Sequence, residues 1–152
     1  MTAYGAGMLP IEITLLDPDL AVPAYARPGD AGADLVARAD AVIAPAGGRV
    51  VVPTGIAIAV PDGYAGFVLP RSGLALRHGV TCLNTPGLID AGYRGELQVV
   101  LVNTDPTQPY EVKRGDRIAQ LVVQRVEQAD FRLVEELAPS DRGDGAFGHS
   151  GR

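Results

Sequence analysis

The chain is organised around the stretch Asn84-Thr-Pro-Gly-Leu-Ile-Asp-Ala-Gly-Tyr-Arg-Gly-Glu-Leu-Gln-Val-Val-Leu-Val-Asn103. From Glu96 onward this stretch is rich in β-branched and apolar residues, which predicts a strand that ends at a polar turn. Before Glu96 a Pro-Gly pair and two further glycines interrupt the chain, which favours tight turns. The turned segment carries a carboxylate, Asp90, and an aromatic residue, Tyr93.

Asp90 has two interpretations. Asp-Ala-Gly is ordinary turn chemistry, so Asp90 taken alone is more often only a turn former. A turn followed by a buried strand is also a rigid platform that can aim a carboxylate at a ligand. The rest of the chain decides between these two interpretations.

Glycine and proline punctuate the whole chain. Its 152 residues include 19 glycines and 12 prolines, which leave few uninterrupted runs for helices. Short apolar runs between these turn signals are typical of one all-β domain, either a sandwich or a barrel. Strands are predicted within 9–16, from Asp34 onward, and within 42–60, 64–69, 96–103, 110–113 and 117–125, with a final strand or edge segment at 131–137.

One segment breaks the β pattern and predicts a short helix near 72–78. Ser72 is a good N-cap, and Gly79 is a good residue to end a helix. A helix start with a free hydroxyl, backbone N–H groups and a preceding arginine, here Arg71, is a natural seat for phosphate.

The charge balance excludes some partners and permits others. A net charge of −5 disfavours a general electrostatic grip on nucleic acid polymers. All but one of the 13 basic residues are arginine, which permits a local cluster for phosphate or carboxylate. The single cysteine, Cys82, excludes an intramolecular disulfide, and no cysteine pair offers a zinc site.

The sequence predicts a cytoplasmic protein without membrane contact. The N-terminus lacks the basic and apolar regions of a signal peptide. No apolar run approaches the ~18 residues that a membrane-spanning helix needs.

Two polar residues at predicted strand positions keep alternative interpretations. Asp34 either starts a strand after a turn or lies at the mouth of a site, paired with an arginine or near a hydrated metal. Gln120 shares one strand face with apolar neighbours, so it is either a polar residue at a barrel rim or a ligand contact.

The tail 140–152 is rich in glycine and polar groups, and its composition predicts mobility. It contains one aromatic residue, Phe147, together with Arg142. A glycine-rich segment with these two residues is typical of a lid that orders over a flat ring and its phosphates.

Five short segments, in this order, resemble the five motifs of the trimeric dUTPase family (dUTP pyrophosphatases). They are Ala31-Gly-Ala-Asp-Leu35, Pro70-Arg-Ser-Gly-Leu74, Gly87-Leu-Ile-Asp-Ala-Gly-Tyr-Arg-Gly95, Arg114-Gly-Asp-Arg-Ile-Ala-Gln-Leu121 and Arg142-Gly-Asp-Gly-Ala-Phe-Gly-His-Ser-Gly151. Each segment is common by itself, but the ordered set spans residues 31–151 and is specific.

The resemblance implies a jelly-roll-like β domain over residues 1–139, a flexible arm over 140–152 that closes over the active site, and a homotrimer with shared sites. It implies hydrolysis of dUTP to dUMP and pyrophosphate with Mg²⁺, which limits uracil incorporation into DNA and supplies dUMP for dTMP synthesis. The ion would be held by substrate phosphates and water, without a direct protein ligand.

The resemblance also assigns roles to residues. Asp90 would activate the attacking water, and Asp34 would steady Arg71 or metal-bound waters. Tyr93 would lie under the deoxyribose, and Asn84 would face the uracil. The predicted phosphate contacts and the uracil-stacking aromatic are Arg71, Ser72, Gly73, Gln120, Arg142, Gly148, His149, Ser150 and, for stacking, Phe147. His149 stands where many members have a hydroxyl residue.

Two other functions compete with dUTP hydrolysis. A dCTP deaminase-like enzyme on the same fold would need an acid or base at C4 of cytosine, and that family lacks a glycine-rich closing tail of this form. A non-catalytic nucleotide-binding regulator would not require the carboxylate of Asp90.

Overall fold

The computed structural model describes residues 7–145, which form short strands and one helix. The elements are β1 (Glu12–Leu15), β2 (Ala33–Val36), β3 (Ala41–Ile43), β4 (Gly48–Pro53), β5 (Ile56–Ala59), β6 (Tyr64–Pro70), α1 (Ser72–His78), β7 (Val80–Cys82), β8 (Gly87–Ile89), β9 (Gln98–Asn103), β10 (Tyr110–Val112) and β11 (Arg117–Arg125). The prediction of an all-β chain with one short helix is confirmed.

The strands pair antiparallel in four groups. The largest has the order β2-β11-β6-β8, and the next has the order β4-β9-β7. The other two are the pairs β1-β5 and β10-β3. Within the described residues these groups do not close into one continuous barrel.

The core follows from the alternation of side chains along the strands. In β2, Ala33 and Leu35 are buried while Asp34 between them is only half-buried, as expected for a period of two. Branched aliphatic side chains make most of the core, including Leu35, Ile43, Val52, Ile56, Leu97, Val99, Leu101, Val112 and Ile118. The alternation thus directs the Asp34 side chain away from the core, while its neighbours anchor the strand.

Two strands form where the sequence pattern predicts none. β7 follows the helix, and β8 begins at Gly87, within a stretch that favours turns. Gly66 in β6 lies opposite Ile89 in β8, and a Cβ on Gly66 would lie only 3.2 Å from Ile89 Cβ. A glycine on the neighbouring strand therefore lets β8 pack closely, which the turn signals of β8 itself do not reveal.

The predicted strand or edge segment at 131–137 is wrong for the single chain. No strand is assigned between residues 126 and 145. Phe131 is 94% exposed and Leu133 is fully exposed. A strand needs a partner for its backbone groups, and no described strand of this chain pairs with the segment.

The helix lies where the sequence predicts it, but its N-cap residue differs. Arg71 occupies the N-cap position in extended conformation, so the prediction of Ser72 as the cap is wrong. The reason is that Arg71 continues the extended backbone of β6 beyond Pro70. Gly79 ends the helix with a positive φ of 63°, as predicted.

Candidate active site

Asp34 and two arginines form a charged cluster, the guanidinium cluster. Asp34 Oδ2 lies 3.1 Å from Arg117 Nη1, and Asp34 Oδ1 lies 3.6 Å from Arg71 Nε. Arg71 Nη1 also donates to the carbonyl oxygen of Arg117 at 3.0 Å. The strand order causes this convergence, because Asp34 lies in β2, Arg117 begins β11 and Arg71 directly follows β6.

The guanidinium cluster contains one carboxylate and two cations. The side chain of Asp34 is 13% exposed, whereas those of Arg71 and Arg117 are 26% and 53% exposed. A carboxylate this far removed from water needs cationic partners, because its charge is otherwise costly to bury. One positive charge remains in excess, and the cluster presents it towards the surface for an anion.

Gln120 lies beside this cluster. It is opposite Asp34 across the β2-β11 ladder and opposite Leu69 across the β11-β6 ladder. Gly32 gives it room, because a Cβ on Gly32 would lie 3.0 Å from Gln120 Cβ. The placement is compatible with the interpretation of Gln120 as a ligand contact.

The helix α1 begins next to the guanidinium cluster. No side chain caps the helix, so the Ser72 hydroxyl takes no part in capping. The carbonyl oxygen of Arg71 accepts the first two hydrogen bonds of the helix, which the N–H groups of the two residues after Gly73 donate. The N–H groups of Ser72 and Gly73 therefore lie outside the helical ladder. The Arg77 guanidinium packs over Gly73, where an added Cβ would lie 2.9 Å from Arg77 Nη2.

The segment 84–96, which joins the paired strands β7 and β9 and is called the hairpin below, forms one wall of a cavity of about 320 Å³. Three predicted site residues, Asn84, Asp90 and Tyr93, line this cavity together. Much of the remaining wall is aliphatic: Val51, Val68, Leu88, Ile89, Val99 and Val100. Apolar walls with a few polar groups are typical of small-molecule sites.

Backbone contacts fix Tyr93 in this wall. Its hydroxyl donates to the carbonyl oxygen of Glu96 at 2.9 Å, and its N–H donates to the carbonyl oxygen of Asp90 at 3.1 Å. The ring lies against Gly95, where an added Cβ would lie 2.7 Å from Tyr93 Cζ. Any side chain at position 95 would displace the ring, so the glycine leaves the room that the aromatic group occupies.

The guanidinium cluster and the cavity lie at different ends of β6. Ile89 pairs with Gly66, so Asp90 lies next to Ala65, whereas Arg71 follows Pro70 at the other end of the strand. Six strand residues of about 3.3 Å each put roughly 20 Å between these two positions. One chain therefore does not bring Asp90 and Arg71 to the same phosphate.

The predicted residues of the tail fall into two groups. Arg142 belongs to the described part of the chain, is exposed, and its Nε donates to the carbonyl oxygen of Gly145 at 2.8 Å. The other predicted tail residues lie outside the described residues: Phe147, Gly148, His149 and Ser150. Their roles stay predictions.

Other chemistries find little support in residues 7–145. Burial raises the pKa of the Cys82 thiol to about 11, so this thiol is protonated and unreactive at neutral pH. Among these residues no group of three or more His, Cys, Asp or Glu side chains is arranged to hold a metal ion. None of their helices has the length and apolar character needed to cross a membrane.

The structure adds residues that the sequence does not single out. Glu96 lines the cavity and carries the carbonyl group that receives the Tyr93 hydroxyl. Arg38 lies within 3.2 Å of the Glu96 carboxylate. These two residues are 58 positions apart, and no local pattern links them.

Similarity to known proteins identifies the family of this chain. A family model described as dUTPase matches residues 19–151. The deoxyuridine 5'-triphosphate nucleotidohydrolase of Thermobifida fusca is 63% identical over 95% of this chain and 80% of its own length. The protein of the same name from Nocardia farcinica is 55% identical over 96% of this chain and 88% of its own length.

Solved structures agree with the fold. The dUTPase of Staphylococcus bacteriophage 80alpha with dUPNHPP has a TM-score of 0.85 and 26% identity, covering 95% of this chain and all of that chain. A mutant dUTPase from phage phi11 of S. aureus, described with a structural Mg(II) ion, has a TM-score of 0.77 and 25% identity over 84% of this chain and 98% of that chain. The predicted jelly-roll-like fold is thereby confirmed. The chain belongs to the dUTPase family, whose enzymes hydrolyse dUTP to dUMP.

Proposed function

We propose that this enzyme directs a water molecule at the α-phosphorus of dUTP, which releases dUMP and pyrophosphate. Asp90 acts as the general base that accepts the proton of this water. Phosphoryl transfer depends mostly on positioning and charge neutralisation, so a well-placed carboxylate suffices. The observation that carries this proposal is the exposed carboxylate of Asp90 in a cavity wall that also holds the fixed ring of Tyr93.

The cavity selects the nucleoside. Tyr93 lies under the deoxyribose and leaves no room for a 2′-hydroxyl group. Asn84 and the backbone of the hairpin present amide groups to the uracil edge, and the tight hairpin excludes the methyl group of thymine. The support for this assignment is that Asn84 and Tyr93 line one cavity and that the Tyr93 hydroxyl is fixed by its hydrogen bond to Glu96.

The guanidinium cluster and the start of α1 hold the α- and β-phosphates. Arg71 supplies a planar donor, and Ser72 and Gly73 supply backbone N–H groups. Gln120 donates from the neighbouring strand. Asp34 orients Arg71, an assignment supported by the 3.6 Å separation between their charged groups.

Each active site is shared between copies of the chain in a homotrimer. The support is the separation of roughly 20 Å between the positions of Asp90 and Arg71, estimated from the strand rise. A second copy would bring its own guanidinium cluster to the cavity of the first. The exposed apolar side chains of Phe131, Leu133 and Leu137 add a surface that a second copy would bury.

The arm 140–152 closes each site, and residues 1–139 form the domain that carries it. Arg142 and the backbone around Gly148 cover the β- and γ-phosphates, with Ser150 and His149 beside them. Phe147 stacks on the uracil. The support is the composition of the tail, which provides an aromatic ring, a guanidinium group and several backbone N–H groups.

Mg²⁺ would be held mainly by the substrate phosphates and water rather than by a protein cage. The fit rests on Asp34 Oδ1, which is buried without a hydrogen-bond partner among the described residues and is able to accept from a metal-bound water. When bound, the ion supplies positive charge that neutralises the phosphates. The cytoplasmic location of the protein stays a prediction from the sequence.

The purified enzyme should be incubated with Mg²⁺ and each deoxynucleoside triphosphate in water enriched in heavy oxygen. Pyrophosphate from dUTP alone, with the heavy oxygen in dUMP, supports the proposal. Label in pyrophosphate would move the attack to the β-phosphorus. Ammonia from dCTP would indicate the deaminase, and binding without turnover would indicate a regulator.

A further inference from the structure

Arg38 contacts Glu96, the last residue of the hairpin and part of the cavity wall. Its Nη1 donates to Glu96 Oε1 at 3.2 Å and to Glu96 Oε2 at 3.4 Å. Its Nη2 donates to the carbonyl oxygen of Leu16 at 3.2 Å, and its Nε lies 3.8 Å from Asp17 Oδ2. One guanidinium group thus joins the loop at residues 16–17 to the base of the hairpin.

Glu96 contacts both Arg38 and Tyr93. Its carboxylate also accepts the backbone N–H of Gly55 at 2.8 Å, and its carbonyl oxygen accepts the Tyr93 hydroxyl at 2.9 Å. The Glu96 side chain is only 19% exposed, so its charge depends on the Arg38 partner. The residue that receives the Tyr93 hydroxyl is therefore held in place by its own side chain.

The following residue is anchored independently of Arg38. The Leu97 N–H donates to the carbonyl oxygen of Ile56 at 2.8 Å, and the Thr54 hydroxyl donates to the carbonyl oxygen of Leu97 at 2.7 Å. Leu97 is also buried in the core. The Leu97 N–H and the Glu96 carbonyl group belong to one planar peptide unit. Loss of Arg38 should therefore leave β9 in place but let this peptide unit tilt about the Leu97 hydrogen bond, which moves the acceptor of the Tyr93 hydroxyl.

We propose that Arg38 is a positioning residue, which fixes the Tyr93 ring through Glu96 and thereby contributes to the discrimination between dUTP and UTP. This inference rests on the proposed placement of Tyr93 under the deoxyribose. A ring that is no longer held can move away from the sugar and leave space for the 2′-hydroxyl, so selectivity falls more than turnover of dUTP.

The decisive variant is Arg38→Met, which keeps the aliphatic stem and removes the donors. The ratio of kcat/KM for dUTP to that for UTP should fall about 10-fold, the size expected for one charge-assisted hydrogen bond, while kcat for dUTP changes little. The matched control is Arg49→Met, because Arg49 is exposed on β4 and outside the proposed site. An unchanged ratio in Arg38→Met, with only a lower melting temperature, would reduce Arg38 to a structural tie.

A double-mutant cycle with Tyr93→Phe tests the route. If Arg38 acts through the Tyr93 hydroxyl, Arg38→Met adds no further loss of selectivity in the Tyr93→Phe background. Fully additive losses would refute the route through Glu96. Should Arg38→Met not fold, Glu96→Gln replaces it: it keeps an acceptor for Gly55 and removes the ionic partner, and an unchanged ratio there overturns the inference.

Tyr93→Ala separates this inference from the proposed function on which it rests. If Tyr93→Ala leaves the ratio of dUTP to UTP unchanged, Tyr93 does not read the sugar, and both proposals fail. If Tyr93→Ala lowers the ratio while Arg38→Met and Glu96→Gln do not, only the role of Arg38 fails.

Discussion

The cavity wall and the guanidinium cluster hold their carboxylates in opposite ways. Asp90 is exposed in a turn, where its backbone carbonyl accepts the Tyr93 N–H and its side chain forms no ion pair with another described residue. Asp34 is largely buried, and two arginines lie within 4 Å of its oxygens. The first carboxylate is positioned by its backbone and the second by its charge partners.

This difference matches the chemistry proposed for each region. A general base must keep a lone pair accessible to water, so backbone positioning suits Asp90. A phosphate seat must hold cations in fixed orientations before the ligand arrives, so a buried counter-charge suits Asp34. If the assignment is right, substitutions in the cavity wall change turnover, and substitutions in the guanidinium cluster change the orientation of the phosphates.

The largest effect is expected from Asp90→Asn. The amide has the shape of the carboxylate but cannot accept the proton of water, so kcat should fall by roughly 10²–10⁴-fold, as for loss of a general base. The affinity for dUTP, measured by calorimetry with a non-hydrolysable analogue, should largely survive. Near-normal turnover in a folded variant would remove Asp90 from this role.

Truncation after Ala138 should have the next largest effect. It removes Arg142 and the arm that is proposed to cover the phosphates, so kcat/KM should fall by about 10²–10³-fold, as for loss of preorganised donors around a reacting phosphate. The oligomer should persist in light scattering, because all the deleted residues except Pro139 lie outside the proposed domain. A truncated chain that no longer assembles would make the arm a structural element instead.

Mixed oligomers test whether the two regions come from different copies. Chains with Asp90→Asn and chains with Arg71→Ala should be co-expressed with different tags, and the hybrids isolated by both tags. A cyclic trimer with shared sites then has one complete site of three, and it should show about a third of wild-type activity although each parent is nearly inactive. Inactive hybrids would place Asp90 and Arg71 of one chain in the same site.

A smaller effect is expected from Asp34→Asn. The neutral amide no longer orients Arg71 by charge, so kcat should fall by about 10-fold, the cost of one hydrogen bond to a charged group. The KM should not rise, because the guanidinium cluster gains net positive charge. Asp19→Asn is the matched control at an exposed position. A higher KM with unchanged kcat would make Asp34 a binding residue rather than an orienting one.

The sequence predicts most of the fold because local patterns encode it. The short helix and its end at Gly79 follow from residue types that act within a few positions. The sequence pattern misses β8 and wrongly predicts a strand at 131–137. Both errors have one physical reason, since a strand depends on its neighbour as well as on its own residues. Gly66 supplies the room for β8, and no described strand of this chain supplies a partner for 131–137.

The candidate site is predictable only in part. The five segments point to Asp34, Arg71 and Asp90, and the structure brings Asp34 and Arg71 together. The contact between Arg38 and Glu96 joins residues 58 positions apart, and only the folded chain reveals it. The separation of Asp90 from Arg71 likewise follows from the register of β8 on β6.

The smallest effect concerns Cys82, which lies in β7 just before the cavity wall and packs in the core. Burial raises its pKa from 9.0 to about 11 in the folded protein. The unfolded thiol ionises first as pH rises, so the stabilisation due to Cys82 is complete below pH 9 and is lost as pH approaches about 11. Activity and stability at neutral pH should be independent of its ionisation.

Urea unfolding at a series of pH values from neutral to about 11 measures this effect, with Cys82→Ala as the reference. The wild type should lose stability more steeply than Cys82→Ala above pH 9, and both should share one slope below it. Rapid alkylation of the native thiol at neutral pH would contradict a buried Cys82. Such reactivity would mean that the wall containing Asn84 opens readily, and the backbone positioning inferred for Asp90 would then need another source.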